Sequence, residues 1–157
     1  MREAIGTSYV ISFIVTFFVL FILIFIGTLS YTKAFKVKNR IVDIIESHEG
    51  NIEKISGSLD TNVENEINSK LNQIGYRISN ESKCKTDGRF STGTVLKKSS
   101  KSTYRYCIYK FTSNNDKIGD YYGVVTYIYF DIPIIGSRLQ FPVYGETRTF
   151  GLMNTKG

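Results

Sequence analysis

An α+β fold built on a long N-terminal membrane-spanning helix is the class this sequence predicts, and three observations predict it. Residues 10–26 (VISFIVTFFVLFILIFI) carry no charge and only two hydroxyls, Ser12 and Thr16. Apolar side chains then recur at helical spacing twice, once before Gly50 and once between Thr61 and Gly75. From Gly75 onward the period falls to two and tyrosine takes over from phenylalanine, the pattern of half-buried strands.

The first helix is the longest element. At about 1.5 Å per residue the stretch from Tyr9 to Tyr31 measures about 33 Å, which suits a hydrocarbon core of about 30 Å with some tilt, and the two tyrosines suit its interfaces. A signal peptide would need a basic start, a shorter apolar run and a small-residue cleavage site. The chain reads Met1-Arg2-Glu3, and no A-x-A pattern follows Leu29. The run is apolar all round rather than striped, which argues against a helix of a soluble domain. Neither Pro nor Gly stands between Thr28 and Glu49, so one continuous helix is expected over about residues 5–47, with Gly50 as its terminator. Beyond Tyr31, the residues Phe35, Ile41, Val42 and Ile45 supply a stripe on which a domain can pack. Ser12, Thr16 and Gly27 are small enough to let other helices approach, although they form no G-x-x-x-G pair.

Three parts follow: residues 1–32 as N-terminal segment and transmembrane helix, 33–57 as helical stalk and connector, and 58–157 as an exported α+β domain. The roughly 125 residues past the membrane suffice for one small domain. Within the connector, Gly57 between Ser56 and Ser58 marks an irregular turn. Thr61-Asn62-Val63-Glu64 reads as a capping box for a second helix, whose stripe is Val63, Ile67, Leu71 and Ile74 and whose stop is Gly75. Residues 104–111 (YRYCIYKF) and 121–132 (YYGVVTYIYFDI) are the strongest strands, an antiparallel hairpin joined by the turn formers of 113–117. Residues 138–143 and 146–150 add one or two strands after a turn at 135–137. Pro133 and Pro142 argue for strand ends, a bulge or an edge, and Val95-Leu96 starts a further short strand.

Chemistry finds little footing. The lone His48 sits with Glu46 and Glu49 at the end of the stalk, as a solvated helix-terminal residue does, and no phosphate-binding glycine pattern is present. Asp131 and Glu146 are the one carboxylate pair that strands could set face to face; the blander reading is an edge charge. No enzyme, cofactor or metal site is expected. The net charge of +6 includes a basic segment, Lys83, Lys85, Arg89, Lys97, Lys98, Lys101, Arg105 and Lys110 against Glu81 and Asp87. Such a segment is either a contact for an anionic polymer, DNA or cell-wall phosphate, made foremost by Lys97, Lys98 and Lys101, or a solvated loop.

Cys84 and Cys107 are the only cysteines. Their spacing fits no C-x-x-C redox or zinc motif, so the pair reads as a disulfide, with two buried thiols as the alternative. The disulfide places the domain outside the cell. Lys33, Lys36, Lys38 and Arg40, counted against Arg2, would by the positive-inside rule place it in the cytoplasm. Of the two orientations, outside is preferred.

With Glu3 ahead of an extremely apolar helix, an unbroken continuation through TKAFKVKNRIVDIIE and a small Tyr-rich antiparallel domain, the chain resembles pilin-like subunits, closest to the TadE-like minor pseudopilins of tight-adherence pilus systems of Gram-positive bacteria. Phe130-Asp131-Ile132-Pro133 and residues 141–147 (FPVYGET) are similar to the C-terminal pattern of pilus-associated proteins of such bacteria. The resemblance implies a membrane-anchored structural subunit of a surface pilus or related secretion filament, with its C-terminal domain extracellular. Its implied partners are the bilayer, other pilin or pseudopilin subunits and the assembly platform. It also implies that Glu3 meets a neighbouring subunit's amino terminus; an interfacial charge is the plainer role. Only Met1 and Arg2 precede Glu3, where the family carries a Gly at its cleavage point. The competing class is a single-pass anchored extracellular module that binds an anionic polymer, nucleic acid included, through the basic segment.

Overall fold

The computed structural model describes residues 2–76, 84, 88–97, 106–112, 119–131 and 138–151, and the side chains of all of these except 2–7, 129–131 and 138–140. Helix α1 (Arg2–Ser47) runs unbroken out of the apolar stretch into the core of the domain. Side chains 8–26 are exposed on every face of the helix, whereas Ala34, Val37, Ile41, Ile44 and Ile45 are buried. The buried stripe is therefore rotated from the expected one. Phe35 is exposed and Val42 only half-buried, because the sheet approaches α1 at Ala34, where a methyl group leaves room. Thr126 Oγ1 donates to the Ala34 carbonyl at 3.1 Å. Phe35 instead stacks on Tyr31, with the Lys38 ammonium 4.2 Å above its ring centre.

The end of α1 corrects the expected terminator by one residue. The Gly50 amide bonds the Ile45 carbonyl and the Glu49 amide bonds that of Glu46, the pairing in which the left-handed position after the helix falls on Glu49. Glu49 holds φ +51 and Gly50 +76. A side chain in that region costs about 1 kcal/mol that glycine avoids. Glu49→Gly is thus expected to stabilise the domain by up to about 1 kcal/mol, read as a higher urea midpoint with unchanged slope.

The connector is more ordered than expected. Glu53 bridges Leu59, the Lys54 amide bonds Ser58, and Gly57 takes φ +73 at the tip of this miniature hairpin. Ile52 and Leu59 are buried and hold it to the core. Helix α2 (Thr61–Ile74) follows. Its N-cap is Asp60, which accepts from the Asn62 amide at 2.7 Å, so Thr61 is already helical and the expected capping box does not form. Glu64 lands one position too deep to reach back and is buried. Its negative charge adds to burial in pushing the Tyr106 hydroxyl well above its ordinary pKa. Val63, Ile67 and Leu71 are buried against α1, Ile74 is half-buried, and Gly75 closes the helix in the left-handed conformation.

Strands β1 (Thr94–Val95), β2 (Tyr106–Phe111), β3 (Tyr121–Asp131) and β4 (Arg138–Glu146) form one antiparallel sheet in chain order. Its inner face, with Tyr106, Ile108, Tyr122 and Val124, joins the two helices in one core. The outer face gathers Cys107, Tyr109, Phe111, Val125 and Tyr127 into a second core under Phe90. Gly123 is required there, since a Cβ would stand 2.9 Å from the rings of Phe90 and Phe111. Residues 138–150 hold one strand. After Glu146 the Tyr122 amide bonds Thr147 Oγ1 rather than a backbone carbonyl, the ladder ends, and only Phe150 returns, as a bridge to Asp120. Pro142 lies in β4, the edge strand, as expected. The turn formers of 113–117, Pro133 and the 135–137 turn lie outside the described residues.

Candidate functional site

Among the described residues one helix is long and apolar enough to cross a membrane, and its apolar half carries most of their exposed large hydrophobic side chains. Three threonine hydroxyls within and beside it are satisfied from within the helix, Thr16 by the Ser12 carbonyl, Thr28 by that of Ile24 and Thr32 by that of Thr28. That removes the cost such groups would carry in hydrocarbon. The backbone of Glu3 belongs to α1; its side chain lies outside the described residues.

Cys84 and Cys107 form a disulfide, with their Cα atoms 5.7 Å apart. The bond ties the chain ahead of Phe90 to the outer face of β2. Phe90 packs edge-on against Phe111 and Tyr144 and tilted against Tyr109. Arg89 pairs with Glu146 at 3.1 Å and fixes this cover to β4. Asp131 and Glu146, which strands could have set face to face, are not brought together. Asp131 is in register with Arg138 and Glu146 with Gly123, so the two residues stand at opposite ends of the β3–β4 pair.

At the far end of the domain from the apolar half, an open cleft of about 440 Å³ lies among Gly50, Glu53, Lys110, Asp120, Tyr122 and Phe150. Lys110 Nζ donates to Glu53 at 2.6 Å and stands 3.4 Å from Asp120. The hydrogen bond to Glu53 is the largest influence holding this ammonium above its ordinary pKa, and partial burial opposes it. Tyr122 donates to the Gly50 carbonyl at 2.8 Å, and burial raises its pKa. These groups clip the connector, β2, β3 and the Phe150 segment together. An amine held between two carboxylates is no nucleophile, and the arrangement is a structural clasp. Sequence reading missed it, although alternation placed Lys110 on the inner face of YCIYKF, where a lysine calls for carboxylates.

The basic segment is not gathered into one surface by the described residues. Arg89 and Lys110 are engaged in ion pairs on opposite faces of the sheet, and Lys97 is exposed beside Ser58. Lys98 and Lys101, like Lys83, Lys85 and Arg105, lie outside the described residues. His48 stands just past α1 and bonds Glu66 of α2 at 3.0 Å, not its chain neighbours Glu46 and Glu49. Glu46 accepts from the Arg148 amide. Among the described residues no three His, Cys, Asp or Glu side chains group as a metal site would require. The chain matches no protein-family model, no curated protein and no solved structure.

Proposed function

We propose that the chain is a single-pass, membrane-anchored, non-enzymatic subunit of a pilin-like assembly, with its α+β domain on the exported side. The supporting observation is that the apolar run and the core share one helix: side chains 8–26 of α1 are exposed and almost all apolar, and after Tyr31 one face of the same helix, Ala34, Val37, Ile41, Ile44 and Ile45, is buried in the domain. A module that only captured a ligand at the cell surface would be served by a flexible tether. A continuous helix instead fixes the domain's orientation and height above the bilayer, as packing into an ordered assembly demands. The disulfide supports the exported side.

The reading is tested with a photo-crosslinking residue placed in turn at Phe13, Phe17, Phe18, Phe21 and Phe25, in cells carrying the gene with its natural neighbours. Adducts on one face of α1 with a second protein that has an N-terminal apolar helix are expected, and Glu3→Gln should weaken them without altering membrane insertion. Lipid adducts alone at all five positions would refute the assembly. Adducts indifferent to Glu3→Gln would leave Glu3 as an interfacial charge.

A further inference from the structure

The β3–β4 hairpin reaches back along α1 to the apolar run. Two contacts fix its course. Gly145, in register with Val124, lies so close to the Lys38 side chain that a Cβ would stand 2.6 Å from its Cδ, and Thr126 bonds the Ala34 carbonyl. Two strand residues, about 6.6 Å, are thus matched to four helix residues, about 6 Å, so β3 runs close to antiparallel to α1. At the same ratio Ile128 stands level with about Ser30, and Phe130 with about Ile26. Exposure agrees: Ser30 and Gly27 are half-buried on α1, while Leu29 and Tyr31 beside them are exposed.

Among the described residues this arm has two strands where it leaves the sheet. At Tyr127 the place of a β2 residue is taken by the Tyr76 hydroxyl, which accepts from the Tyr127 amide and donates to its carbonyl, both at 3.0 Å. A two-stranded ribbon is marginal without a surface to lie on. Its sequence suits an apolar one, with Tyr129 and Phe130 in β3 and Leu139 and Phe141 in β4. Phe141, in register with Ile128, is 49% exposed at the level where α1 exposes Tyr31 and Phe35.

We propose that the β3–β4 hairpin is a second membrane-contacting element, resting on a lipid surface beside the emerging helix with Phe141 in the headgroup layer. The proposal rests on α1 being the anchor. It also moves the edge of the hydrocarbon. Asp131 and Arg138 are in register at the last described pair of the two strands, and charged residues are tolerated among headgroups and costly deeper. At the same ratio Asp131 stands level with about Ile24, so the edge lies near Ile24 rather than Tyr31. That leaves residues 4–23, about 30 Å of helix, to cross the core.

The chain contains no tryptophan, so single replacements report cleanly. Phe18→Trp, Phe141→Trp and Ile55→Trp in the full chain are reconstituted into phosphatidylcholine–phosphatidylglycerol vesicles whose acyl chains are brominated near the headgroup or near the chain end. Phe18→Trp should be quenched most by the deep bromines, Phe141→Trp by the shallow ones, and Ile55→Trp, at the distal cleft, by neither. An unquenched Phe18→Trp overturns the anchor itself. With Phe18→Trp quenched, an unquenched Phe141→Trp overturns the hairpin contact; red-shifted emission then places it in water, and blue-shifted emission places it against protein such as a second copy. Equal quenching of Ile55→Trp would mean that the whole domain lies on the bilayer, and overturns it too. If Phe141→Trp fails to fold, Leu139→Trp reads the same arm.

Discussion

Breaking the Cys84–Cys107 bond is expected to lower the stability of the domain by about 3 kcal/mol, measured by urea unfolding of the full chain in detergent with and without reductant. The bridge joins residues 23 apart, and closing a loop of that size removes this much freedom from the unfolded chain in the chain-entropy account. The loss should fall first on the outer core, where Phe90, Tyr109, Phe111 and Tyr144 pack under the segment that Cys84 tethers. A Cys84→Ala/Cys107→Ala variant should behave like the reduced protein and not respond to reductant. The same thiols report orientation. On intact cells a membrane-impermeant maleimide should label them only after reductant is added; labelling that needs cell lysis would place the domain in the cytoplasm, where the basic residues after Tyr31 would by themselves have put it.

Ile41→Ala is expected to cost about 2–5 kcal/mol, the range for emptying a close-packed site of a branched aliphatic side chain. Ile41 is fully buried in the core that α2 and the sheet share, so the space it vacates is walled by other buried side chains. Ile22→Ala, about five turns earlier on the same helix, should leave domain stability unchanged, because Ile22 lies in the apolar half and is 53% exposed. Urea unfolding of both variants in detergent separates the two halves of α1. Equal effects would mean that the apolar half also packs on the domain.

Much of this architecture was legible because period and punctuation agreed. The unbroken α1, the stripe of α2 ending at Gly75, the pairing of β2 with β3 and the cysteine bridge all follow from local patterns that the tertiary structure leaves alone. The errors arose where a choice depended on a distant partner. Which face of α1 turns inward is decided at Ala34 by β3, which lies about ninety residues away in the chain. The N-cap of α2 moved to Asp60 because Thr61 and Asp60 are both competent caps and the connector's bridge to Leu59 fixes which one turns the chain. The clasp around Lys110 joins residues from four separate stretches, and no spacing in the sequence announces it.

The shared helix also sets a load path. Tension on the apolar half along the axis of α1 would pull the helix's buried half lengthwise across the sheet, so the contacts of Val37, Ile41, Ile44 and Ile45 are sheared together rather than peeled one after another. Sliding is opposed at the far end, where Glu46 holds the Arg148 amide and Tyr122 holds the Gly50 carbonyl. A pull sideways on the hairpin would meet less among the described residues, where past Tyr127 β4 alone pairs with β3. The fold thus resists a pull best in one direction, along the line on which its apolar segment lies.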